Sequence, residues 1–162
     1  MDKTLRSHQA KYVVTSININ PDEYDAIGEN AFDTFSSLTE VTIPEGIIKI
    51  DREAFSGCWR LKKISLPKTL RSIGSEAFAE TGLESIEIPD GVTEIGDRFF
   101  YLCDKLEKVV IPASVTKIGK DLFIKTAGKE TATTTIYGEV GSFAESYAKE
   151  NGIPFIAVTK SL

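Results

Sequence analysis

Hydrophobic positions recur along the chain with a period of 22 or 23 residues. Phenylalanines mark the period at intervals of 23, 23, 22 and 23 residues, at Phe32, Phe55, Phe78, Phe100 and Phe123. An isoleucine lies five residues before each of them, at Ile27, Ile50, Ile73, Ile95 and Ile118. Such self-similarity is typical of a solenoid, in which each repeat buries its apolar side chains against the next repeat. The sequence therefore predicts about five stacked repeats.

Within each repeat, a leucine follows the phenylalanine and an apolar pair spaced by one residue comes next. The pairs are Val41/Ile43, Ile64/Leu66, Ile86/Ile88 and Val109/Ile111, each followed directly by proline. This alternation of apolar and polar residues predicts a short strand, which proline ends because it has no amide hydrogen to continue a ladder. We call these segments V-x-I strands, after the consensus of the apolar pairs. We expect successive V-x-I strands to form a parallel sheet with strands about 4.8 Å apart.

The remaining two segments of each repeat are shorter. The residues before the next repeat, such as 91–95, predict a second extended segment that starts from a glycine turn. The E-x-A-F stretch is too short for an isolated helix, and we expect one helical turn there on the outer face of the solenoid. The predicted fold class is α/β: a solenoid of about five repeats of 22 or 23 residues, with a parallel sheet, short outer helical turns and a terminal cap that contains a helix.

The ends of an open solenoid must be covered, and the terminal sequences are atypical of the repeats. We assign residues 1–24 to an N-terminal segment or cap, 25–127 to the repeats and 128–162 to a C-terminal cap, in one domain overall. Alternation between Tyr12 and Asn20 predicts a degenerate first strand. No such pattern precedes about residue 9.

Three elements are predicted in the C-terminal cap. Residues 134–138 resemble a last strand, and residues 154–158 an extended tail. Ser142 and Glu145 have the spacing of a capping box, which predicts a helix to about Glu150. Its packed face is expected to hold Phe143, Ala144, Tyr147 and Ala148.

Cys58 and Cys103 each lie three residues after a repeat phenylalanine, and they are two repeats apart. Two rungs of a sheet separate them by about 10 Å, which exceeds the limit of about 7 Å between the Cα atoms of a disulfide. The sequence predicts two free, buried thiols that act as small core residues.

Composition and motifs argue against several functions. The formal net charge of the 162 residues is -5, which opposes binding to nucleic acid and anionic membranes, and no apolar run is long enough to insert into a membrane. His8 is the single histidine, so neither a Ser/His/Asp triad nor a His-rich zinc site can form. We expect no enzyme activity, no cofactor and no metal site.

The outward-facing side chains of the strands are the candidate binding surface, because a solenoid presents a rigid, extended face there. The candidate partner-binding residues are Trp59, Lys63, Lys108, Glu40, Glu87 and Val110. Trp59 lies in a turn and is available either to a partner or to packing against a neighbouring turn. The alternative is that the mixed charges form a solvated face that only prevents aggregation.

The repeated columns, together with the C-terminal run from Tyr137 to Phe155 (Y-G-x-x-G-S-F-A-E-S-Y-A-K-E-N-G-I-P-F), resemble the BspA-type (Treponema pallidum type) leucine-rich repeats. The resemblance covers about Asp25 to Val158. It implies a curved right-handed solenoid in a secreted or cell-surface protein of a host-associated bacterium or protist, and adhesion to host or bacterial proteins. The chain departs from common leucine-rich repeats because no asparagine follows the strand.

Two functional hypotheses remain open at this point. In the first, the chain is an extracellular or cell-surface interaction module, monomeric, that binds a protein or glycan ligand through the strand face. In the second, it is a structural spacer or display scaffold without a ligand of its own. The mixed charges and the small number of exposed aromatic residues favour the spacer slightly, whereas an apolar patch around Trp59 would favour binding.

Overall fold

The computed structural model describes residues 4–5, 17, 19–128 and 133–159. Over these residues the chain winds into a parallel β-solenoid with one helix near its C-terminus. Its strands are β1 (Thr4–Leu5), β2 (Ala26–Ile27), β3 (Glu40–Thr42), β4 (Lys49–Ile50), β5 (Lys63–Ser65), β6 (Ser72–Ile73), β7 (Ser85–Glu87), β8 (Glu94–Ile95), β9 (Lys108–Val110), β10 (Lys117–Ile118), β11 (Thr135–Gly138) and β12 (Phe155–Ala157). The helix α1 is Phe143–Glu150.

The V-x-I segments form the parallel strands that the alternation predicts. Val41 pairs with Ile64, and Ile86 pairs with Val109, both in parallel register. The central residue of β3, β5 and β7 is buried and its two neighbours are exposed. A period-two pattern places one set of side chains in the core and the other on the surface.

The second extended segment of each repeat is also confirmed. Two-residue strands stack in parallel in the order β1-β2-β4-β6-β8-β10. From β2 onwards, each carries the isoleucine that lies five residues before the phenylalanine, so Ile27, Ile50 and Ile73 follow one another in register. The solenoid therefore has a strand on two sides of each coil.

The outer turns are not helical, and this part of the prediction is wrong. The residue two before each repeat phenylalanine has a positive φ, which no α-helix accommodates: Asn30, Glu53, Glu76, Arg98 and Asp121. Alternate backbone amides in these turns donate to the neighbouring coil, as in Phe32 N–H to Ala54 O at 2.8 Å, and an amide between them donates to the residue three before, as in Asp33 N–H to Asn30 O at 3.2 Å. The turns are therefore held both by local bonds and by bonds between coils.

The core runs through the centre of the coils and is built on stacked phenylalanines. Phe55 stacks on Phe32 and on Phe78, with ring centroids 5.2 and 5.6 Å apart, and Phe100 stacks on Phe123 at 5.6 Å. The ring of Phe99 contacts both Phe78 and Phe100 edge to face. The repeating phenylalanine positions in the sequence predict Phe100 in this stack but not Phe99.

The C-terminal cap follows the prediction in most respects. The strand β11, the helix and the extended tail β12 all form, and β12 pairs in parallel with β11. Ser142 Oγ accepts from Glu145 N–H, while the Glu145 carboxylate accepts from Gly141 N–H, one residue before the position in a standard capping box.

The predicted packed face of the helix is wrong at one residue. Ala144 and Ala148 are fully buried, but Phe143 is 42% exposed. The two alanines are four residues apart and define the buried stripe, which turns the preceding position towards solvent.

The N-terminal predictions lie largely outside the described residues. This applies to His8 and to most of the segment Tyr12 to Asn20. Within that segment, Ile19 is buried and Ile17 packs partly buried against the core.

Candidate functional site

One turn of the solenoid is a residue shorter than the others, and the stacking changes there. Residues 61–78 stack on residues 83–100 with an offset of 22, whereas the apolar columns on either side keep an offset of 23. We call this contact the short seam. The missing residue lies between Phe78 and Leu83, in the turn that holds Thr81 and Gly82.

The V-x-I sheet is interrupted at the short seam. The strands β3 and β5 form one sheet, and β7, β9, β11 and β12 form another. Ile43 N–H donates to Ser65 O, and Ile88 N–H donates to Val110 O, each at 2.9 Å, but Leu66 makes no corresponding bond among the described residues. The strands β5 and β7 are thus neighbours that form no ladder between them.

A groove of about 750 Å³ lies across this interruption. Its walls come from β5 and the residues after it, from β7 and β9, and from the ends of β11 and β12. Leu66, Val110 and Val158, which are partly exposed, contribute apolar surface, and Ser65 and Ser85 contribute hydroxyl groups. The groove thus crosses several strands instead of following one.

Charged side chains of both signs line the groove in equal number. Three are lysines and three are acids: Lys63, Lys68, Lys108, Glu87, Asp90 and Glu139. Lys63 Nζ also lies 2.8 Å from Glu40 on the adjacent strand, with both side chains more than half exposed. Lys108 Nζ lies 4.7 Å from the ring centroid of Tyr137. Each of the two lysines that flank Ser85 thus has one neighbouring side chain that attracts its charge.

The structure brings together four of the six predicted binding residues. Lys63, Glu87, Lys108 and Val110 line the groove. Glu40 contacts Lys63 without lining the groove. Their participation in binding stays a prediction.

Trp59 lies apart from these four residues. Its side chain is 58% exposed, in the turn between Cys58 and Leu61, and the Arg60 guanidinium carbon is 5.0 Å from its ring centroid. It is not among the residues that line the groove. Of the two alternatives for Trp59, the structure shows exposure.

Sequence analysis missed the other part of the groove. Residues after the prolines, such as Lys68 and Asp90, line it, as do Val158 and Thr159 of the C-terminal tail. The polar residues that follow Pro67 and Pro89 were the signal available for the first group. The tail carried no such signal, because its approach to β7 and β9 depends on the cap.

Both thiols are free and buried, as predicted. Cys103 Sγ lies 3.0 Å from Phe78 O and 3.2 Å from Thr81 Oγ1, and Cys58 Sγ lies 3.1 Å from Phe32 O. Burial raises the pKa of Cys58 to about 12 and raises that of Cys103. Both are therefore neutral core residues at neutral pH, without nucleophilic character.

The rest of the described surface offers little other chemistry. No group of three or more His, Cys, Asp or Glu side chains is arranged among the described residues to hold a metal ion. No helix in the described part of the chain has the length and apolar character needed to cross a membrane.

Comparison with known proteins identifies the family. A model of the BspA type leucine-rich repeat region matches residues 9–136 in six copies. The chain belongs to this family. The match begins before the first of the five phenylalanine columns, and Pro21, 23 residues before Pro44, is consistent with an earlier copy. Leucine-rich repeats are a general protein-interaction fold, and their solenoids are typically non-catalytic.

Solved structures that resemble this chain include leucine-rich repeat proteins and a pneumococcal antigen. The leucine-rich repeat protein of Treponema pallidum is 30% identical over 83% of the chain, with a TM-score of 0.71. A leucine-rich cell surface protein of Faecalibacterium prausnitzii is 28% identical over 67%, with a TM-score of 0.61. The pneumococcal vaccine antigen PcpA shares the fold at 23% identity over 98%, with a TM-score of 0.70.

The BspA-type chain is shorter than these neighbours. It spans 62%, 32% and 45% of their respective lengths. No curated protein matches it significantly.

Proposed function

We propose that this BspA-type solenoid is a non-catalytic interaction and adhesion module, and that it binds a protein ligand in the groove across the short seam. The groove is the observation that carries the proposal. A pocket of about 750 Å³ is within the usual range for binding sites, and this one combines apolar walls with fixed polar groups.

The charges of the groove favour a protein over a polyanion. Three lysines face three acids, so the groove has no field of a single sign. Folded protein surfaces carry both charges within a few ångströms of each other and can complement such a pattern. A glycan is the second ligand class, which the hydroxyl and carboxylate groups of Ser65, Ser85 and Glu87 support. We infer that the domain acts as a monomer.

We further propose that the chain works outside the cell, at the surface or in secreted form. The support is the description of the Faecalibacterium prausnitzii neighbour as a cell surface protein. Free, buried thiols are compatible with this location, because the solenoid fold keeps them apart from each other and from solvent.

The spacer function is the alternative, and one observation favours it. Glu40 and Lys63 pair with each other at 2.8 Å on the exposed face, and Glu94 and Lys117 do so at 3.0 Å on the other sheet. A surface whose charges satisfy one another needs no ligand. The paired charges do not explain the groove, because an interrupted sheet serves no purpose in a structural spacer.

The test is binding of the purified chain to a panel of matrix proteins and surface glycans. A groove variant carries Lys63→Ala with Lys108→Ala, and a turn variant carries Trp59→Ala. Lys117→Ala, an exposed lysine of the opposite sheet, is the matched control. Saturable binding that only the groove variant loses supports the proposal. Loss in the turn variant alone moves the site to Trp59, and no binding in the wild type favours the spacer.

A further inference from the structure

The short seam has fewer backbone bonds than the other contacts between coils. Besides the interrupted sheet, β6 and β8 pair through the single residue pair Ile73 and Ile95, whereas β4 and β6 pair through two. Three repeat phenylalanines donate their backbone amide to the next coil: Phe32, Phe55 and Phe100. Phe78 makes no such bond among the described residues.

One backbone hydrogen bond next to the V-x-I strands does cross the seam, but it is longer than its equivalents. Three equivalent amides illustrate this: Lys62 N–H donates to Thr39 O at 2.9 Å and Glu107 N–H to Glu84 O at 3.0 Å, but Glu84 N–H to Lys62 O at 3.4 Å. The ion pair between Lys62 and Glu84 is also long, at 3.9 Å. Backbone contact across the seam is therefore weakest on the face that carries the groove.

The outer turns keep two of their three backbone bonds across the seam, on either side of Phe78, which lacks its own among the described residues. Glu76 N–H donates to Asp97 O at 2.9 Å, and Glu80 N–H donates to Tyr101 O at 2.7 Å. Inside the coil, the edge-to-face contacts of Phe99 maintain the packing. The seam thus keeps shorter backbone bonds in the outer turns than on the face that carries the groove, which is the arrangement of a hinge.

We propose that the short seam is a joint between two blocks of the solenoid, one ending near residue 78 and one beginning near residue 83. In a repeat protein, stability is approximately a sum of repeat terms and nearest-neighbour interface terms. An interface that keeps its apolar contacts but loses backbone bonds opens at lower cost than its neighbours. The deletion of one residue creates this weak interface, and the outer turns are the axis about which it opens.

The joint lies directly under the groove. Lys63, Ser65 and Lys68 stand on the first block, while Ser85, Glu87 and Asp90 stand on the second. Opening of the joint therefore changes the width of the groove, and an occupant that contacts both walls closes it. This consequence rests on the proposed function, whereas the joint itself does not.

Amide hydrogen exchange of the full chain tests the joint without any ligand. After correction for intrinsic rates, Glu84 is expected to exchange about tenfold faster than both Lys62 and Glu107, the size of effect expected from one weakened hydrogen bond. Equal protection of the three amides overturns the proposal. The outcome does not depend on whether the groove binds anything, so it fails or succeeds separately from the proposed function.

Two variants link the exchange rate to the seam. Insertion of one residue between Gly82 and Leu83 restores the offset of 23 and should reduce the Glu84 exchange rate to within about threefold of its equivalents. If that variant does not fold, Ser65→Cys with Glu87→Cys provides a disulfide across the seam. Thr42→Cys with Ser65→Cys, on directly paired strands, is its control. The disulfide across the seam should slow amide exchange at Glu84, and the control disulfide should not. An equal effect of both overturns the proposal.

Discussion

The ring of Phe99 meets the ring of Phe78 edge to face, with their centroids 5.3 Å apart. At the repeat position that corresponds to Phe99, the three preceding coils have alanine: Ala31, Ala54 and Ala77. Phe99 also contacts Phe100 at 4.6 Å and is fully buried. A large side chain thus occupies a small-residue position at the coil where backbone pairing is weakest.

Replacement of this ring should be costly although it restores the repeat consensus. Phe99→Ala is expected to lower the free energy of unfolding by about 3 to 5 kcal/mol, because it leaves a cavity between Phe78 and Phe100. Urea denaturation followed by circular dichroism measures the change. Phe143→Ala, at an exposed phenylalanine, is the control and should change stability by about 0.5 kcal/mol or less. A loss below about 1 kcal/mol at Phe99 would contradict the packing argument.

Phe78→Ala is expected to destabilise the chain by a similar amount, about 3 to 5 kcal/mol, because Phe78 is fully buried between Phe55 and Phe99. The double variant with Phe99→Ala should be less destabilised than the sum of the two single variants, by about 0.5 to 1.5 kcal/mol, the size of an aromatic pair interaction. The same urea denaturation provides all three values. Strict additivity would show that the two rings do not depend on each other.

The sequence predicted the parts of the fold that repeat. The columns of phenylalanine and isoleucine, the V-x-I strands and the terminal helix all follow from local pattern, because stacking places like residues in contact. Pro21 carried the same information for an earlier copy. The outer turns were misassigned because a four-residue pattern does not reveal that Glu53 or Glu76 has a positive φ and that its neighbours bond to the next coil.

The groove could be predicted only in part. Strand alternation identified Lys63, Glu87, Lys108 and Val110 as outward-facing, and they do line it. The missing residue before Leu83 was visible in the sequence, but its effect on the pairing of β5 with β7 depends on how the coils stack. The role of Phe99 was hidden for the same reason, since a column pattern assigns each coil one phenylalanine.

The buried thiols make stability depend on alkaline pH. Burial raises the pKa of Cys58 from 9.0 to about 12, so between these values the unfolded chain releases a proton that the folded chain keeps. Stability is therefore complete below about pH 9 and falls as the pH rises towards 12, by at most about 1.4 kcal/mol per pH unit for this thiol. Urea denaturation at about pH 8 and about pH 10.5, on either side of the unfolded pKa, measures the loss. The Cys58→Ala variant should lose less free energy of unfolding between these two pH values. An unchanged loss would show that other titrating groups cause it.

Reactivity of the same thiols offers a second measurement. A thiol reagent should modify neither Cys58 nor Cys103 in the folded chain and both after unfolding, because each is fully buried and bonded to a backbone carbonyl. Rapid modification of one thiol in the native chain would show that its coil opens. Cys103, which contacts Phe78 O and so adjoins the short seam, is the thiol expected to react first as urea is added below the unfolding midpoint.

Gly82 should be irreplaceable for steric reasons alone. A Cβ atom at this position would clash with Trp59 O, and the φ of Gly82 lies outside the left-handed region, so contact and not conformation forbids a side chain. We expect Gly82→Ala to destabilise the chain by about 1 to 3 kcal/mol, as overpacking does. Gly152→Ala is the matched opposite case, with a positive φ of 64° and no atom within 4 Å, and should cost about 1 kcal/mol. Because the shortened turn can relieve the clash only by moving away from Trp59, Gly82→Ala should also speed exchange at Glu84, whereas Gly152→Ala should leave that amide unchanged.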